Sequence, residues 1–149
     1  MAVRQQPVER TVMSQLVRIG DPAGVAPSGR YSHVVVGSGR QVFVSGQVAF
    51  DEQGKLVGEG DALAQARQVF GNIGRCLAAA GAGFEHLAKL TVFVTDIGYL
   101  PAVRTAWDEA LGSAHAPASS AVQVAGLFQP GLLVEIEAYA VVPEAGQSS

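Results

Sequence analysis

The sequence predicts a single α+β domain in which two helices cover one face of a sheet of five or six strands. Short runs of β-branched and aromatic residues alternate with two longer segments whose apolar residues recur at helical spacing. A chain of 149 residues can bury one hydrophobic core but not two comfortable ones. The predicted domain covers residues 16–143, with a loose polar extension over residues 1–15 and a disordered tail over residues 144–149.

The first third of the chain is predicted to form strands and turns. LVRIG (16–20) predicts a short strand, and the Pro- and Gly-rich residues 21–30 predict a loop. The β-branched runs YSHVVVG and RQVFVSGQVAF are separated by GSG, a pattern that predicts a β-hairpin. DEQGK then predicts a second turn.

The rest of the chain predicts helices alternating with strands. The clearest helix begins after the N-cap residue Asp61 and ends just before Gly81. A strand is predicted over residues 87–96, and a second helix is predicted over residues 99–112. The last two predicted strands are ASSAVQVAG and LLVEIEAYAVV.

The predicted strand at residues 132–142 has two different faces. Its alternate residues on one side are apolar, as expected for a face that packs on the core: Val134, Ile136, Ala138 and Ala140. The other side carries Glu135 and Glu137. Because ionised carboxylates are costly to bury alone, this side must meet water, a partner or a site that needs charge. We infer that it closes against copies of the same chain.

Composition and charge disfavour several classes of protein. The net charge is −3 and the chain has no basic run, whereas nucleic-acid-binding proteins normally carry a basic surface. Only 15% of the residues are charged, which favours a homo-oligomer. The single cysteine, Cys76, excludes an internal disulfide, and the three histidines lack metal-ligand spacing. Without a signal-peptide pattern or a long apolar stretch, the sequence predicts a soluble, cytoplasmic protein with no metal and no membrane partner.

Six segments between about Ser28 and Val142 carry a family resemblance: GRYSHVV, VFVSGQVAFDEQGKLV, AQARQVFGNIGRCLAAAGA, LAKLTVFVTDIGYLPAV, APASSAVQV and LLVEIEAYAV. In this order they resemble the motifs of the Rid family, the reactive intermediate deaminases, also called the YjgF family. SGQ after a strand, QA in the first helix and EIEA in the last strand are specific when taken together.

The resemblance implies a fold, an assembly and an activity. The fold is chorismate-mutase-like, of the bacillus type, with a mixed sheet and two helices on one face. The assembly is a homotrimer whose sheets line a central barrel, with a small-molecule cleft at each subunit interface. The activity is hydrolysis of reactive enamines and imines to keto acids and ammonia, without a metal or an organic cofactor.

The resemblance also assigns candidate site residues. Glu135 matches the carboxylate that positions water in the cleft, and Tyr31 matches a loop tyrosine that covers the cleft and can donate a proton. Deaminating members have an arginine directly after Pro-Ala, and its guanidinium grips the substrate carboxylate, whereas this chain has Ser119. Ser119 and Ser120 are therefore expected to hydrogen-bond a substrate other than the usual amino-acid-derived imines.

Four further residues are candidate binding residues with a structural alternative. Arg104 stands at a position where deaminating relatives often have Asn. Either Arg104 or Arg30 supplies a relocated positive charge, and the alternative is an ordinary surface arginine. His33 contributes a group that titrates near neutral pH, or is simply hydrogen-bonded. His115 is expected at the mouth of the cleft.

Two functions from different classes fit these residues. One is a cofactor-free deaminase that acts on a small labile imine or enamine. The other is a binding module, a trimer that holds a metabolite or serves as a scaffold without turnover. Ribonuclease activity, a third interpretation attached to relatives, is disfavoured by the acidic charge balance and by the absence of a basic, aromatic groove.

Overall fold

A computed structural model of the protein describes residues 16–144. The predicted N-terminal extension and most of the predicted tail lie outside the described residues. The described part has six strands, which are β1 (Val17–Ile19), β2 (Val34–Val36), β3 (Arg40–Gln47), β4 (Leu87–Val94), β5 (Ala118–Gln123) and β6 (Val134–Val142). Its helices are α1 (Ala62–Ala79), α2 (Leu100–Leu111) and two short 3₁₀ helices (Phe84–His86 and Ile97–Tyr99).

Four strands form the main sheet in the order β3-β6-β4-β5. The pairs β3–β6 and β6–β4 are antiparallel, and β4–β5 is parallel, so the sheet is mixed. A parallel pair needs a long crossover, which α2 supplies between β4 and β5. Both helices pack on one face of the sheet, which confirms the predicted α+β fold with two helices on one side.

The predicted hairpin between YSHVVVG and RQVFVSGQVAF is wrong. Strand β2 pairs with β1 in a separate two-stranded sheet, and β3 pairs with β6. The GSG segment connects the two sheets: Gly37 lies against the Leu16 side chain, and Gly39, with φ +143, lies against the backbone of Val142. At Gly39 the backbone contact leaves no room for a Cβ atom, whereas at Gly37 the Leu16 side chain would have to move to admit one. The glycines therefore permit a crossing between sheets, and the main sheet has four strands, not five or six.

The core lies between the sheet and the helices. The apolar side of the predicted 132–142 strand is buried as expected, with its residues Val134, Ile136 and Ala138 fully enclosed. Helix α1 contributes Phe70, whose ring meets that of Trp107 on α2 edge-on at 6.4 Å. The other core residues include Val69, Ile73, Leu77, Leu90, Val92 and Val103.

Helix α1 begins and ends as the sequence predicts. The Asp61 side chain accepts a hydrogen bond from the Ala64 amide at 3.0 Å, and Gly81 follows the last turn with φ +70. The buried side chain of Gln65 donates to the carbonyls of Gly58 and Gly131 and accepts from the Leu133 amide. These three bonds fix the segment that leads into β6.

Candidate functional site

A cleft opens beside α2 at the β5 edge of the sheet. It is about 350 Å³ in volume, within the size range of small-molecule sites. We call it the Tyr31 cleft. Its lining residues are Ser28, Gly29, Arg30, Tyr31, Val92, Leu100, Val103, Arg104, Trp107, Ser119 and Ala121.

Three of the predicted site residues meet in this cleft, although they come from distant parts of the chain. The parallel register pairs Ser119 with Leu90, which is fully buried beneath the helices, so Ser119 points to the helix side of the sheet. Arg104 comes from the exposed edge of α2, and Tyr31 comes from the loop before β2. The sequence therefore identified one residue from each of the three parts of the cleft, which are the sheet, helix α2 and the loop before β2.

The loop that carries Tyr31 is held by local hydrogen bonds. The Ser28 hydroxyl accepts from the Tyr31 amide at 3.1 Å. Ser32, which is buried, donates its hydroxyl to the Ala116 carbonyl at 2.6 Å and its amide to the Pro117 carbonyl at 3.0 Å. These bonds fix the loop to the segment that enters β5. The loop therefore holds Tyr31 at the cleft that Ser119 also lines.

His33 lies next to this cleft but does not line it. Its ring meets the Tyr31 ring edge-on at 5.3 Å, and its Nε2 atom lies 2.7 Å from the Ala26 carbonyl oxygen. His33 thus supports the Tyr31 ring and links it to the loop at residues 21–30. Its predicted role in binding stays a prediction.

His115 does not line the Tyr31 cleft within one chain, and its predicted place at the mouth of a cleft between subunits stays a prediction. It lines a separate depression together with Arg18, Glu85 and His86. The next residue is Ala116, and its carbonyl accepts hydrogen bonds from the side chains of both Ser32 and Arg18. That arrangement fixes the backbone between the two sites and leaves His115 on the Arg18 side.

Glu135 and Ser120 lie on the opposite face of the sheet, which we call the outer face. Thr91 of β4 pairs with Ser120 on one side and with Glu137 on the other, so these three side chains share a face. Glu135 pairs with Phe93 of β4, two residues further on, and lies on the same face. The Lys89 ammonium donates to the Ser120 hydroxyl at 2.9 Å. In one chain, the sheet itself therefore separates Glu135 and Ser120 from Tyr31 and Ser119.

The Glu135 carboxylate lies over Gly46, the glycine of the SGQ motif. A Cβ atom at position 46 would come within 2.6 Å of Glu135 Oε2. The β3–β6 register is interrupted between Val44 and Gln47, so Gly46 sits in an irregular part of β3. The missing side chain and the irregular backbone together make room for the carboxylate.

The side chains with shifted pKa values stabilise the fold outside the Tyr31 cleft. The Arg67 guanidinium donates two hydrogen bonds to the Glu109 carboxylate, at 2.8 and 2.7 Å, and these bonds lower the pKa of Glu109. Partial burial lowers the pKa of Arg18, which donates to the carbonyls of Glu85, Leu87 and Ala116. The first pair joins α1 to α2, and the second set joins β1 to the start of β4.

Two other kinds of feature, a metal site and a membrane-spanning helix, are absent from residues 16–144. No group of three or more His, Cys, Asp or Glu side chains is arranged to hold a metal ion. No helix in that range is both long and apolar enough to cross a membrane.

Comparisons with known proteins identify the family. The family model described as Endoribonuclease L-PSP matches residues 22–142. The chain is 40% identical to the RutC family protein slr0709 of Synechocystis over 79% of this chain and 90% of that protein. It is 38% identical to the 2-iminobutanoate/2-iminopropanoate deaminase of Capra hircus over 87% of this chain and 93% of that enzyme.

A solved structure has the same fold. The Rid-family protein YyfB of Yersinia pestis superposes with a TM-score of 0.77 at 36% identity, covering 83% of this chain and 97% of that one. The predicted resemblance and the chorismate-mutase-like fold are thereby confirmed. This chain belongs to the Endoribonuclease L-PSP family, which is also called the YjgF or Rid family.

Proposed function

We propose that this protein hydrolyses a reactive imine or enamine to a carbonyl compound and ammonia, without a cofactor, in the Tyr31 cleft. The observation that carries the proposal is the meeting of Tyr31 and Ser119 in one small-molecule cleft. The chain that forms this cleft is 38% identical to an imine deaminase.

The reaction needs few groups. The oxygen of a water molecule adds to the imine carbon, and the electron pair of the C=N bond moves to nitrogen, which takes up a proton. The added water gives up one proton to the acceptor and becomes the hydroxyl group of a carbinolamine. That hydroxyl then loses its proton, the nitrogen takes up a second one, and the C–N bond breaks so that ammonia leaves as the C=O bond forms. A positioned acceptor holds the water, and a positioned donor supplies the proton. We assign the first role to Glu135 and the second to Tyr31.

A second copy of the chain supplies Glu135 in this proposal. Two features of the fold support such an assembly. The outer face exposes large apolar side chains, with Phe43 at 69% and Tyr139 at 38% exposed. Strand β5 is an edge strand beside the cleft, so its outer backbone groups are open to a neighbour. We propose a homotrimer, as the family resemblance implies, in which Glu135 of one subunit faces the Tyr31 cleft of the next.

The substrate differs from the usual amino-acid-derived imines in this proposal. Ser119 offers a neutral hydroxyl where deaminating relatives have a guanidinium fork. A hydrogen bond to a charged group contributes about 1.5–3 kcal/mol, so losing that fork weakens docking from the β5 wall about tenfold or more. We therefore expect 2-iminopropanoate to be a poor substrate.

The test is to generate 2-imino acids in situ with an amino-acid oxidase, to generate an imine without a carboxylate with an amine oxidase, and to follow their decay with and without the protein. The panel includes 2-iminopropanoate, imines with larger side chains and an imine without a carboxylate. Glu135→Gln is expected to abolish the acceleration. Glu137→Gln, an equal change on the same face, is the matched control and is expected to retain activity. No acceleration with any imine would overturn the proposal in favour of a non-catalytic metabolite-binding or scaffold trimer.

A further inference from the structure

The charge inside the Tyr31 cleft is not balanced. Two guanidinium groups, those of Arg30 and Arg104, line it, and its lining contains no Asp or Glu. Arg30 is matched by Asp108, whose Oδ1 atom lies 2.7 Å away. Arg104 makes no ion pair with an acidic side chain in the part of the chain that the structure describes. One unmatched positive charge therefore lines the cleft of a chain whose net charge is −3.

Arg30 also has a second contact that separates the roles of the two arginines. Its Nη2 atom donates to the backbone carbonyl of Arg104 at 3.3 Å, in addition to its bond to Asp108. Arg30 is thus committed to holding the Tyr31 loop against α2. The Arg104 side chain is exposed and is left to meet a ligand.

The rest of the cleft is largely apolar. Val103 and Trp107 lie one helical turn apart on the same helix as Arg104. On the sheet wall, Ser119 and Ala121 are small residues and leave space opposite them. A concave apolar site with one convergent charged group selects a ligand that combines an anion with an apolar body.

We propose that Arg104 docks the carboxylate of the substrate from the α2 wall of the cleft. The substrate is then a carboxylate-bearing imine or enamine that is set apart from the usual small amino-acid-derived imines by its apolar body, which is larger than the methyl group of 2-iminopropanoate and lies against Val103 and Trp107. This assignment of substrate class rests on the proposed function, but the docking of the anion does not, because it can be measured without turnover.

Binding of product-like ketones provides that measurement. Three ligands are compared by calorimetry: phenylpyruvate, pyruvate and phenylacetone, in which a methyl group replaces the carboxylate of phenylpyruvate. The wild-type protein is expected to bind phenylpyruvate more tightly than either of the others. Arg104→Ala is expected to weaken phenylpyruvate binding about ten- to hundredfold and to leave phenylacetone binding unchanged. Arg104→Lys should retain part of the affinity.

Two further variants separate docking from general changes in charge. Arg75→Ala removes an exposed guanidinium from α1, away from the Tyr31 cleft, and is expected to bind phenylpyruvate as the wild type does. Ser119→Arg in the Arg104→Ala background moves the guanidinium to the opposite wall and fills the space there. We expect this double variant to recover pyruvate binding more than phenylpyruvate binding.

The outcomes distinguish this inference from the proposed function. Unchanged phenylpyruvate affinity in Arg104→Ala, or wild-type protein that binds phenylacetone as tightly as phenylpyruvate, would overturn the docking role whether or not any imine is hydrolysed. Wild-type protein that binds none of the three ligands would also overturn it. Arg104-dependent binding of phenylpyruvate without hydrolysis of any imine would support the docking role and refute only the hydrolysis.

Discussion

Gly46 determines how closely the Glu135 carboxylate approaches β3. An added Cβ atom would meet the end of a flexible side chain, which can move, so we expect Gly46→Ala to fold. In the reaction that we propose, the displaced carboxylate would no longer hold the water, and imine hydrolysis should fall about tenfold or more. Steady-state rates and thermal melting of the same preparation check this. Gly126→Ala, at a glycine with open space around it, is the control and should change neither quantity.

Gln65 shows how one buried polar side chain fixes the approach to the site. Gln65→Leu removes three hydrogen bonds and leaves the Gly58 and Gly131 carbonyls and the Leu133 amide without this partner. Since buried unsatisfied groups cost about 1–3 kcal/mol each and partly relax, we expect a loss of roughly 2–4 kcal/mol in the free energy of unfolding. Urea denaturation measures it. A loss no larger than that of the exposed Gln53→Leu would contradict this account.

The residues of the cleft divide into those that sequence motifs reveal and those that only packing reveals. Tyr31, Arg104 and Ser119 stand at motif positions, and the structure brings them together. Trp107 belongs to the second group, because its spacing in the predicted helix at residues 99–112 indicates burial but not that its exposed edge borders a cleft. The position of His115 in one chain depends on the bonds of the Ala116 carbonyl with Ser32 and Arg18, which are distant in sequence and which no local pattern predicts.

At the scale of elements, local signals were reliable and long-range pairing was not. The caps of α1 lie within a few residues of its ends, so Asp61 and Gly81 fixed its limits. The hairpin prediction failed because the GSG sequence is compatible both with a tight turn and with a connection that crosses from one sheet to the other. What decided between them is the pairing of β3 with β6, about a hundred residues further along the chain.

The link between α1 and α2 makes a prediction about pH. The bonds from Arg67 lower the pKa of Glu109 below its ordinary value of 4.5, so ionised Glu109 favours the folded state. This stabilisation is present above pH 4.5 and is lost as the pH falls through the lower folded-state pKa. We therefore expect Glu109→Gln to be slightly less stable than the wild type at pH 7 and equally stable once Glu109 is protonated.

Urea denaturation at pH 7 and at about pH 2.5 measures the difference in stability between Glu109→Gln and the wild type. The lower pH is about two units below the ordinary pKa of Glu109. The effect is small because both side chains are exposed to solvent. Glu59→Gln, at another exposed glutamate, is the control. A stability difference for Glu109→Gln that grows as the pH falls would contradict the assigned sign.

For the whole molecule, the outer face is the surface through which we propose that copies of the chain assemble. Phe43 and Tyr139 stack edge-on at 5.5 Å across β3 and β6, yet both rings are exposed. If this face packs against other copies, Phe43→Asp places a charge in an apolar interface, and the protein should dissociate to monomers and lose imine hydrolysis. Analytical ultracentrifugation measures the mass. Ile97→Asp changes an exposed apolar residue that lies off the outer face, and this variant should keep the oligomeric state of the wild type.

A site shared between chains can be tested by mixing two inactive variants. Tyr31→Phe removes the donor and Glu135→Gln removes the acceptor, so each homo-oligomer should be nearly inactive. When both are unfolded and refolded together, about a quarter of the interfaces in a random mixture join an intact Tyr31 to an intact Glu135 from a neighbouring chain. We expect imine hydrolysis to return to about that fraction of the wild-type rate. Each variant refolded alone is the control. Because the sheet separates the two residues within one chain, a mixture that stays as inactive as its components would show that Glu135 does not act on a neighbour's cleft.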